Sequence, residues 1–521
     1  MHSEQVPVQA ARSPALTRPA TVAETATQAR FGPFLVVPVA AYCETRMDAT
    51  DLAFTSALDQ AQLIRTGQVS PLDLADLYLR RIEQLNPQLG CFFTLQAEAA
   101  IAEARAKTDA LATTAPTPLP PFWGVPTAIK DLNAVAGWPL SYGVAALRNQ
   151  IASYDDGVVA RLKAAGFVLL GKTATPELGL TPYTEAPGFP PTRNPWQLEH
   201  TPGGSSGGAA AAVAAGLLPV AQGSDGGGSV RTPAACCGLV GLKPARGRVS
   251  SAPVGDRLSG LATDGPLTRT VADAAALLDV MAGYITGDPY WLPEPATSFL
   301  AALQQPLGRL RIAVSTEIRP LGTADAGQAA AVMAIAQQLE ALGHEVEAAT
   351  PDCTGLAAPF IRLWQASVPA AGLPPELLSP LARWLGDQAG SAGDYLRAVA
   401  QMQIVARRIV GFFDHFDVLL WPNLLHAPPK IGAWADLEPE ATLERLANWI
   451  APGPPANASG LPAITLPAGH DAQGLPLSVQ LLGRPAAEAT LLALAAQLEA
   501  AQPWAQGRPA IAQSSPQGGL G

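Results

Sequence analysis

The chain has 521 residues, of which 48% are apolar and 15% are charged, and its formal net charge is −10. This composition is typical of a soluble globular protein with a large core, and the acidic balance argues against a nucleic-acid backbone as a direct partner. No apolar run approaches the ~20 residues of a membrane helix. The five cysteines and six histidines show no metal-ligand spacing. We therefore expect a cytoplasmic protein with reduced cysteines, no membrane span, no metal and no cofactor.

The two ends of the chain differ from the rest in composition. Residues 1–46 are rich in Pro, Ala and Thr and lack periodicity, which predicts a disordered N-terminal extension. Helical spacing starts directly after Met47, and this suggests the hypothesis that Met47 is the true start. Residues 509–521 are predicted to be a flexible tail. Residues 47–508 contain no clear linker, so they are predicted to form one large domain.

Within this domain, predicted helices and strands alternate along the chain. Periodicity predicts helices over 52–85, 97–112, 157–166, 324–342 and 487–500, and apolar runs predict strands ending at 130, 173, 315, 349, 422, 469 and 483. Such alternation predicts an α/β fold, a single large domain with a central mixed β-sheet covered by helices on both faces. The segment at about 350–450, rich in proline and tryptophan, is expected to shape a pocket.

The stretch "TPGGSSGGAAAAVAAGLLPVAQGSDGGGSVRTPAACCG", at 201–238, places serines among glycines. A phosphate-binding loop would need a lysine inside the stretch, and there is none between Lys172 and Lys243. A nucleophile elbow is a second interpretation, because GxSxG matches around Ser205 and again around Ser206. An elbow follows a strand, however, and the preceding "TRNPWQLEHTP" has no apolar run.

A third interpretation uses a lysine as the base. Lys130 ends the predicted buried strand "GVPTAIKD", where burial would lower its pKa and leave a neutral amine. A serine of the stretch could relay its proton to this amine. Ser229 follows "GSDGGG", whose consecutive backbone N–H groups could face a developing oxyanion. On pattern alone, an ordinary glycine- and serine-rich loop and a surface lysine stay open as the alternative.

The sequence resembles the amidase signature family, over roughly residues 50 to 500. The motifs that carry the resemblance are "GVPTAIKDLNAVAGWP", "GFVLLGKTATPELG", "TRNPW", "PGGSSGGAAAAVAAG", "GSDGGGSVRTPAACCGLVGLKPARGRVS", "GPLTRTVADAAALLDVMAG" and "SGLPAITLPAGHDAQGLPLSVQLLGRPAAEATLL". The resemblance implies a catalytic Lys–cis-Ser–Ser set. The family's lysine falls on Lys130, its cis-serine on Ser205 and its nucleophile on Ser229. The resemblance thus implies a catalytic core at about 120–290 and a substrate-shaping region at about 350–450.

The resemblance also implies an oxyanion hole formed by backbone amides of Gly226, Gly227, Gly228 and Ser229. Gly226 is a departure, because relatives commonly carry Thr, Ile or Ala at this position. This change loosens the expected oxyanion hole but removes no hydrogen-bond donor, since the donors are backbone N–H groups. Asp225 and Arg231 match family positions that look structural.

The resemblance implies a metal-independent amidase that cleaves a small-molecule amide through a Ser229 acyl-enzyme. One alternative is the glutamine-hydrolysing subunit of the tRNA-dependent amidotransferase, although "RLSGLATDGP" replaces that branch's "SSLDQIGP"-like run. Another is a non-catalytic scaffold or binding subunit, and a homodimer also stays open. An apolar or aromatic acyl pocket is suggested by four tryptophans, Trp364, Trp384, Trp421 and Trp434. Ordinary packing of these tryptophans in the core is an equal alternative.

Overall fold

The structure is a computed structural model that describes residues 48–113 and 117–513. The expectations for residues 1–46 and for the tail beyond 513 therefore lie outside the described residues. The described residues belong to one compact unit. None of the helices in the described ranges is long and apolar enough to cross a bilayer.

Helices flank the sheets of the domain. They are α1 Ala49–Phe54, α2 Ala57–Arg65, α3 Pro71–Leu89, α4 Ala97–Thr113, α5 Gly157–Ala164, α6 Gly207–Ala214, α7 Arg231–Cys237, α8 Val271–Met281, α9 Phe299–Ala302, α10 Ala326–Ala341, α11 Ala357–Ala370, α12 Pro380–Asp387, α13 Ala392–Gly411, α14 Pro439–Trp449, α15 Pro454–Ser459 and α16 Glu488–Ala501. Several begin at side-chain caps. Ser70 and Asp73, for example, form a reciprocal capping box at the start of α3.

The strands form one large sheet and two small ones. They are β1 Phe92–Leu95, β2 Pro126–Lys130, β3 Val168–Thr173, β4 Val220–Asp225, β5 Val240–Lys243, β6 Thr263–Thr268, β7 Arg311–Val314, β8 Glu317–Ile318, β9 Gly322–Thr323, β10 Glu345–Ala348, β11 Val418–Pro422, β12 Ala463–His470 and β13 Pro476–Gly483. The eight-stranded sheet has the order β10-β7-β11-β13-β12-β5-β6-β4, and the others are β1-β3-β2 and β8-β9.

The large sheet is mixed, as the sequence predicts. Its β10–β7 and β7–β11 pairs are parallel, whereas the pairs from β11 to β4 are antiparallel. Some strands of this sheet are buried along their whole length, for example β11 and β6. A sheet covered on both faces explains why most strands read as continuous apolar runs in the sequence.

Strand β2 belongs to the small sheet but lies against β4, the last strand of the large one. Thr127 Oγ1 donates a hydrogen bond to the carbonyl oxygen of Val220 at 3.0 Å, and the Lys130 N–H donates to Gln222 Oε1 at 2.9 Å. These two contacts hold β2 alongside β4, with Lys130 beside Gln222. The side chain of Lys130 is thereby held next to the loop that follows β4.

The expected elements are present, with small shifts at their ends. The helix expected over 52–85 is divided into α1, α2 and α3. Strands β1, β4, β5, β6, β8 and β9 were not predicted from the sequence. The predicted flexible tail overlaps the described residues at its start, where Ala510–Gln513 form a short 3-10 turn and Ala512 is buried. The Ala512 carbonyl accepts a hydrogen bond from Arg81, so this turn belongs to the folded part.

Candidate active site

Lys130 is the last residue of β2 and is completely buried. Its Nζ lies 2.7 Å from Ser205 Oγ, 3.0 Å from Ser224 Oγ and 3.2 Å from the Ser224 carbonyl oxygen. A neutral amine has two N–H donors and one lone pair. It can therefore donate to the two Ser224 oxygens and accept the hydroxyl proton of Ser205, its nearest partner.

The pKa of Lys130 favours this neutral form. Burial lowers it from the ordinary 10.5 to about 7, and this desolvation outweighs the more distant carboxylates of Asp225 and Asp264, which raise it. The direct partners of the amine are uncharged oxygen atoms rather than a carboxylate. At neutral pH a large fraction of Lys130 is therefore unprotonated and able to accept a proton.

The two predicted serines lie in two loops that approach each other. Ser205 precedes α6, and the peptide bond between Gly204 and Ser205 is cis. Ser229 lies in the loop between β4 and α7. The Ser206 N–H donates a hydrogen bond to the Ser229 carbonyl oxygen at 3.1 Å, which ties the two loops together. Ser206 Oγ bonds to the backbone of Ser224, so Ser206 holds the loops in place.

The loop before Ser229 presents backbone amides. Within the described ranges, no backbone carbonyl or side chain accepts the N–H groups of Gly226, Gly227 and Ser229. The Gly228 N–H, in contrast, donates to Asp225 Oδ1 at 2.8 Å. Of the four amides expected to form an oxyanion hole, Gly228 is thus already engaged and three stay available. Gly228 has a φ of +127°, a conformation that favours glycine.

A buried ion pair supports the loop that carries Ser229. Arg231 Nη2 lies 2.9 Å from Asp225 Oδ1, and both side chains are completely buried. The Asp225 carboxylate also accepts from the amide of Asn457 and from the Val230 N–H. Burial raises the pKa of Asp225, but the charge of Arg231 and these hydrogen bonds outweigh it and hold the pKa below its ordinary value. Asp225 and Arg231 therefore have the structural role expected from the sequence.

A cavity opens above Ser229. It is lined by Gly204, Gly227, Gly228 and Ser229 on one side and by apolar side chains of α11 and α14 on the other. The space between its walls, including the part open to solvent, is about 850 Å³. The Ser229 hydroxyl faces the cavity and makes no hydrogen bond to the described side chains or backbone.

The comparisons with known proteins agree on the family. The model of the family "Amidase" matches residues 73–492. A Synechocystis sp. protein named "Putative amidase" is 55% identical over 86% of this chain and 89% of its own length. The solved 6-aminohexanoate cyclic dimer hydrolase is 33% identical, with a TM-score of 0.83 over 89% of this chain and all of that one. A bacterial aryl acylamidase of the amidase signature family is 29% identical, with a TM-score of 0.78 over 89% and 100%.

The chain belongs to the amidase signature family. It is an amidase, a hydrolase that acts on amide carbon–nitrogen bonds. This confirms the resemblance seen in the sequence and the expected fold. It also favours an enzyme over the non-catalytic scaffold considered as an alternative.

The nucleophile elbow lacks its structural context in this amidase. Residues 201–206 form no strand, and α6 starts only at Gly207. No group of three or more His, Cys, Asp and Glu side chains in the described part of the chain is placed to hold a metal ion. Of the four tryptophans suggested for the pocket, only Trp364 lines the cavity, and Trp421 is packed in the core.

Sequence reasoning missed two residues that hold Lys130. Ser224 supplies two of the three oxygen atoms around Nζ, and Gln222 accepts the Lys130 backbone N–H. Both lie on β4, which was not predicted as a strand. The signal that could have found them is the alternation in "AQGSD", where Gln222 and Ser224 share one face of the strand.

Proposed function

We propose that this amidase hydrolyses a linear or cyclic amide through an acyl-enzyme on Ser229, with Ser205 as the proton relay and Lys130 as the base. The observation that carries the proposal is the 2.7 Å contact between the buried Lys130 Nζ and Ser205 Oγ, beside the cavity that Ser229 lines. The lowered pKa of Lys130 supports its role as a base at neutral pH.

In the first half-reaction, Ser229 Oγ forms a bond to the amide carbonyl carbon. Its proton passes to Ser205 Oγ, and the proton of Ser205 passes to Lys130 Nζ. The carbonyl oxygen becomes an oxyanion that accepts hydrogen bonds from the free amides of Gly226, Gly227 and Ser229. The carbon–nitrogen bond then breaks. Ser205 protonates the leaving amine and recovers a proton from Lys130.

In the second half-reaction, water attacks the ester carbon of the acyl-enzyme. The same relay takes one proton from the water and returns one to Ser229 Oγ as the ester bond breaks. The products are a carboxylic acid and an amine, which together contain the atoms of the amide and one water molecule. Every proton transfer is made by Lys130, Ser205 and Ser229, so no metal or cofactor is needed in this scheme.

A fluorophosphonate probe tests the identity of the nucleophile. Such probes form a covalent bond only with an activated serine, so the wild-type chain should be labelled, and mass spectrometry should find the label on Ser229. Ser229→Ala should lose both labelling and turnover while its melting temperature stays nearly unchanged. If Ser229→Ala still carried the label and Ser205→Ala lost it, the nucleophile-elbow interpretation would return.

A panel of aliphatic amides, aryl amides, glutamine and amino-acid oligomers, read by ammonia or amine release, tests the activity itself. It separates this proposal from the glutamine-hydrolysing subunit, which would cleave glutamine best. A chelator should leave the rate unchanged. Loss of activity with a chelator and recovery with zinc would contradict the metal-independent scheme.

A further inference from the structure

The walls of the cavity next to Ser229 are apolar. Helix α11 contributes Phe360 and Trp364, and α14 contributes Leu443 and Leu446. All residues that line this cavity are described ones, and none of them carries a charge. An apolar helix face normally packs against another element, whereas here parts of two helices face an open space beside the nucleophile. An apolar part of the substrate is the occupant that this lining fits.

Trp364 is held in a defined position at the edge of this cavity. Its Nε1 donates a hydrogen bond to the Leu180 carbonyl oxygen at 3.0 Å, and its ring stacks on Phe360 with centroids 5.8 Å apart. A Cβ atom at Gly226 would lie 3.3 Å from Trp364 Cη2, and one at Gly227 would lie 3.1 Å from Phe360 Cζ. The missing side chain at Gly226 thus lets the indole ring sit directly against the oxyanion loop.

The position of the cavity indicates which half of the amide enters it. Ser229 and Gly227 line it, but neither Lys130 nor Ser205 does. The leaving nitrogen must face Ser205 to receive its proton. The group on the other side of the carbonyl, the acyl group, is therefore the one that extends into the apolar space. This orientation rests on the proposed function.

We propose that the cavity is an acyl subsite for uncharged, apolar acyl groups longer than acetyl, and that Trp364, seated against Gly226, sets its width. A carboxylate or ammonium group in this space would lose its hydration and find no charged partner. Glutamine carries both charges close to its side-chain amide. The same lining therefore argues against glutamine as the substrate.

A series of 4-nitroanilides with different acyl groups tests the subsite. Each methylene buried in an apolar site adds about fourfold in kcat/KM, so the rate should rise from acetyl through butyryl to hexanoyl. Glutaryl anilide is similar in length to the hexanoyl compound but ends in a carboxylate, and its kcat/KM should be about a hundredfold lower. Equal rates for glutaryl and hexanoyl, or a preference for acetyl, would overturn the proposal.

Two variants test the role of Trp364. Trp364→Ala should lower the ratio of hexanoyl to acetyl kcat/KM by about tenfold, because the apolar contact is lost. Gly226→Ala should shift the same ratio in the same direction but by less, since a Cβ 3.3 Å from Trp364 Cη2 pushes the indole ring by only about a few tenths of an ångström. Trp291→Ala is the matched control, because Trp291 is 61% exposed and does not line the cavity. An unchanged ratio in Trp364→Ala would refute its role.

The proposed acyl preference and the proposed catalytic residues can be refuted independently of each other. A ratio between two substrates is measured in any active enzyme, so it tests the subsite even if Ser229 proves not to be the nucleophile. If no anilide is cleaved, calorimetric titration of the full chain with hexanamide and with glutaramate gives the answer. Tighter binding of hexanamide supports the subsite, and equal affinity overturns it.

Discussion

The pH dependence of the rate tests the assignment of Lys130 most directly. If a neutral Lys130 is the base, kcat/KM should rise with pH through an apparent pKa of about 7, the value that burial gives this lysine. At about pH 5 the rate should be about a hundredfold below its plateau, because only about one lysine in a hundred is then unprotonated. Lys130→Met should remove this limb and lower the plateau by several orders of magnitude.

The same shift predicts the effect of Lys130 on stability. Its folded pKa of about 7 lies below the ordinary 10.5, so the unfolded chain binds the proton more tightly. The free energy of unfolding should therefore increase as the pH rises from about 7 to about 10.5. The full difference corresponds to about 5 kcal/mol for one lysine. The Lys130→Met variant should lack this increase of the free energy of unfolding with pH. Thermal melting at several pH values measures it.

Lys243 provides a matched control for both measurements. It is also buried, desolvation lowers its pKa to about 7, and its Nζ bonds to the Pro244 carbonyl oxygen instead of a serine. Lys243→Met should weaken the stability slope in the same way but keep the pH limb of the rate. The assignment of Lys130 as the base would be refuted if kcat/KM of Lys130→Met still rose with pH through about 7. It would also be refuted if the two variants had the same pH–rate profile.

Three further perturbations have defined outcomes. Ser224→Ala removes one oxygen beside Lys130 Nζ, 3.0 Å away, and should lower kcat about tenfold with little change in melting temperature; an unchanged rate would show that Ser224 does not position the amine. Asp225→Ala leaves Arg231 buried without its ion-pair partner and should cost about 3–5 kcal/mol of stability. In the wild type, the stabilisation by Asp225 is present above about pH 4 and is lost as the pH falls further. Thermal melting of both chains at acidic pH measures this difference. A chain that starts at Met47 should match the full chain in activity and melting temperature, and a large loss of either would show that residues 1–46 support the domain.

The sequence predicted β3 and β11, whose side chains are mostly apolar, and missed β4 and β6, which carry buried polar side chains. β3 and β11 read as continuous apolar runs and were predicted within two residues of their observed bounds. β4 and β6 contain Gln222 and Asp264, which look like surface residues in a sequence. They are buried because Gln222 Nε2 donates a hydrogen bond to Asp264 Oδ1 at 2.9 Å across the pair of strands. A contact between residues 42 positions apart leaves no local pattern.

The site was predicted from the motif, but its detailed geometry depends on distant residues. The resemblance to the amidase signature family assigned the roles of Ser205 and Ser229, whereas only the fold shows that Gly228 donates its N–H to Asp225. The departure at Gly226 was visible in the sequence and had no explanation there. The fold places Trp364, on a helix more than a hundred residues later, so close that a Cβ at Gly226 would lie 3.3 Å from its Cη2.

Three buried lysines show why a partner, rather than burial, decides whether a lysine can act as a base. Lys130, Lys172 and Lys243 all lie at or near the ends of buried strands, and burial lowers the pKa of each. Lys172 is paired with the Asp131 carboxylate at 2.9 Å, which favours the charged form and holds its proton. Lys243 donates a hydrogen bond to a carbonyl oxygen, which has no proton to give. Only Lys130 of these three contacts a hydroxyl beside the cavity, so only its lone pair can receive a proton from the substrate side.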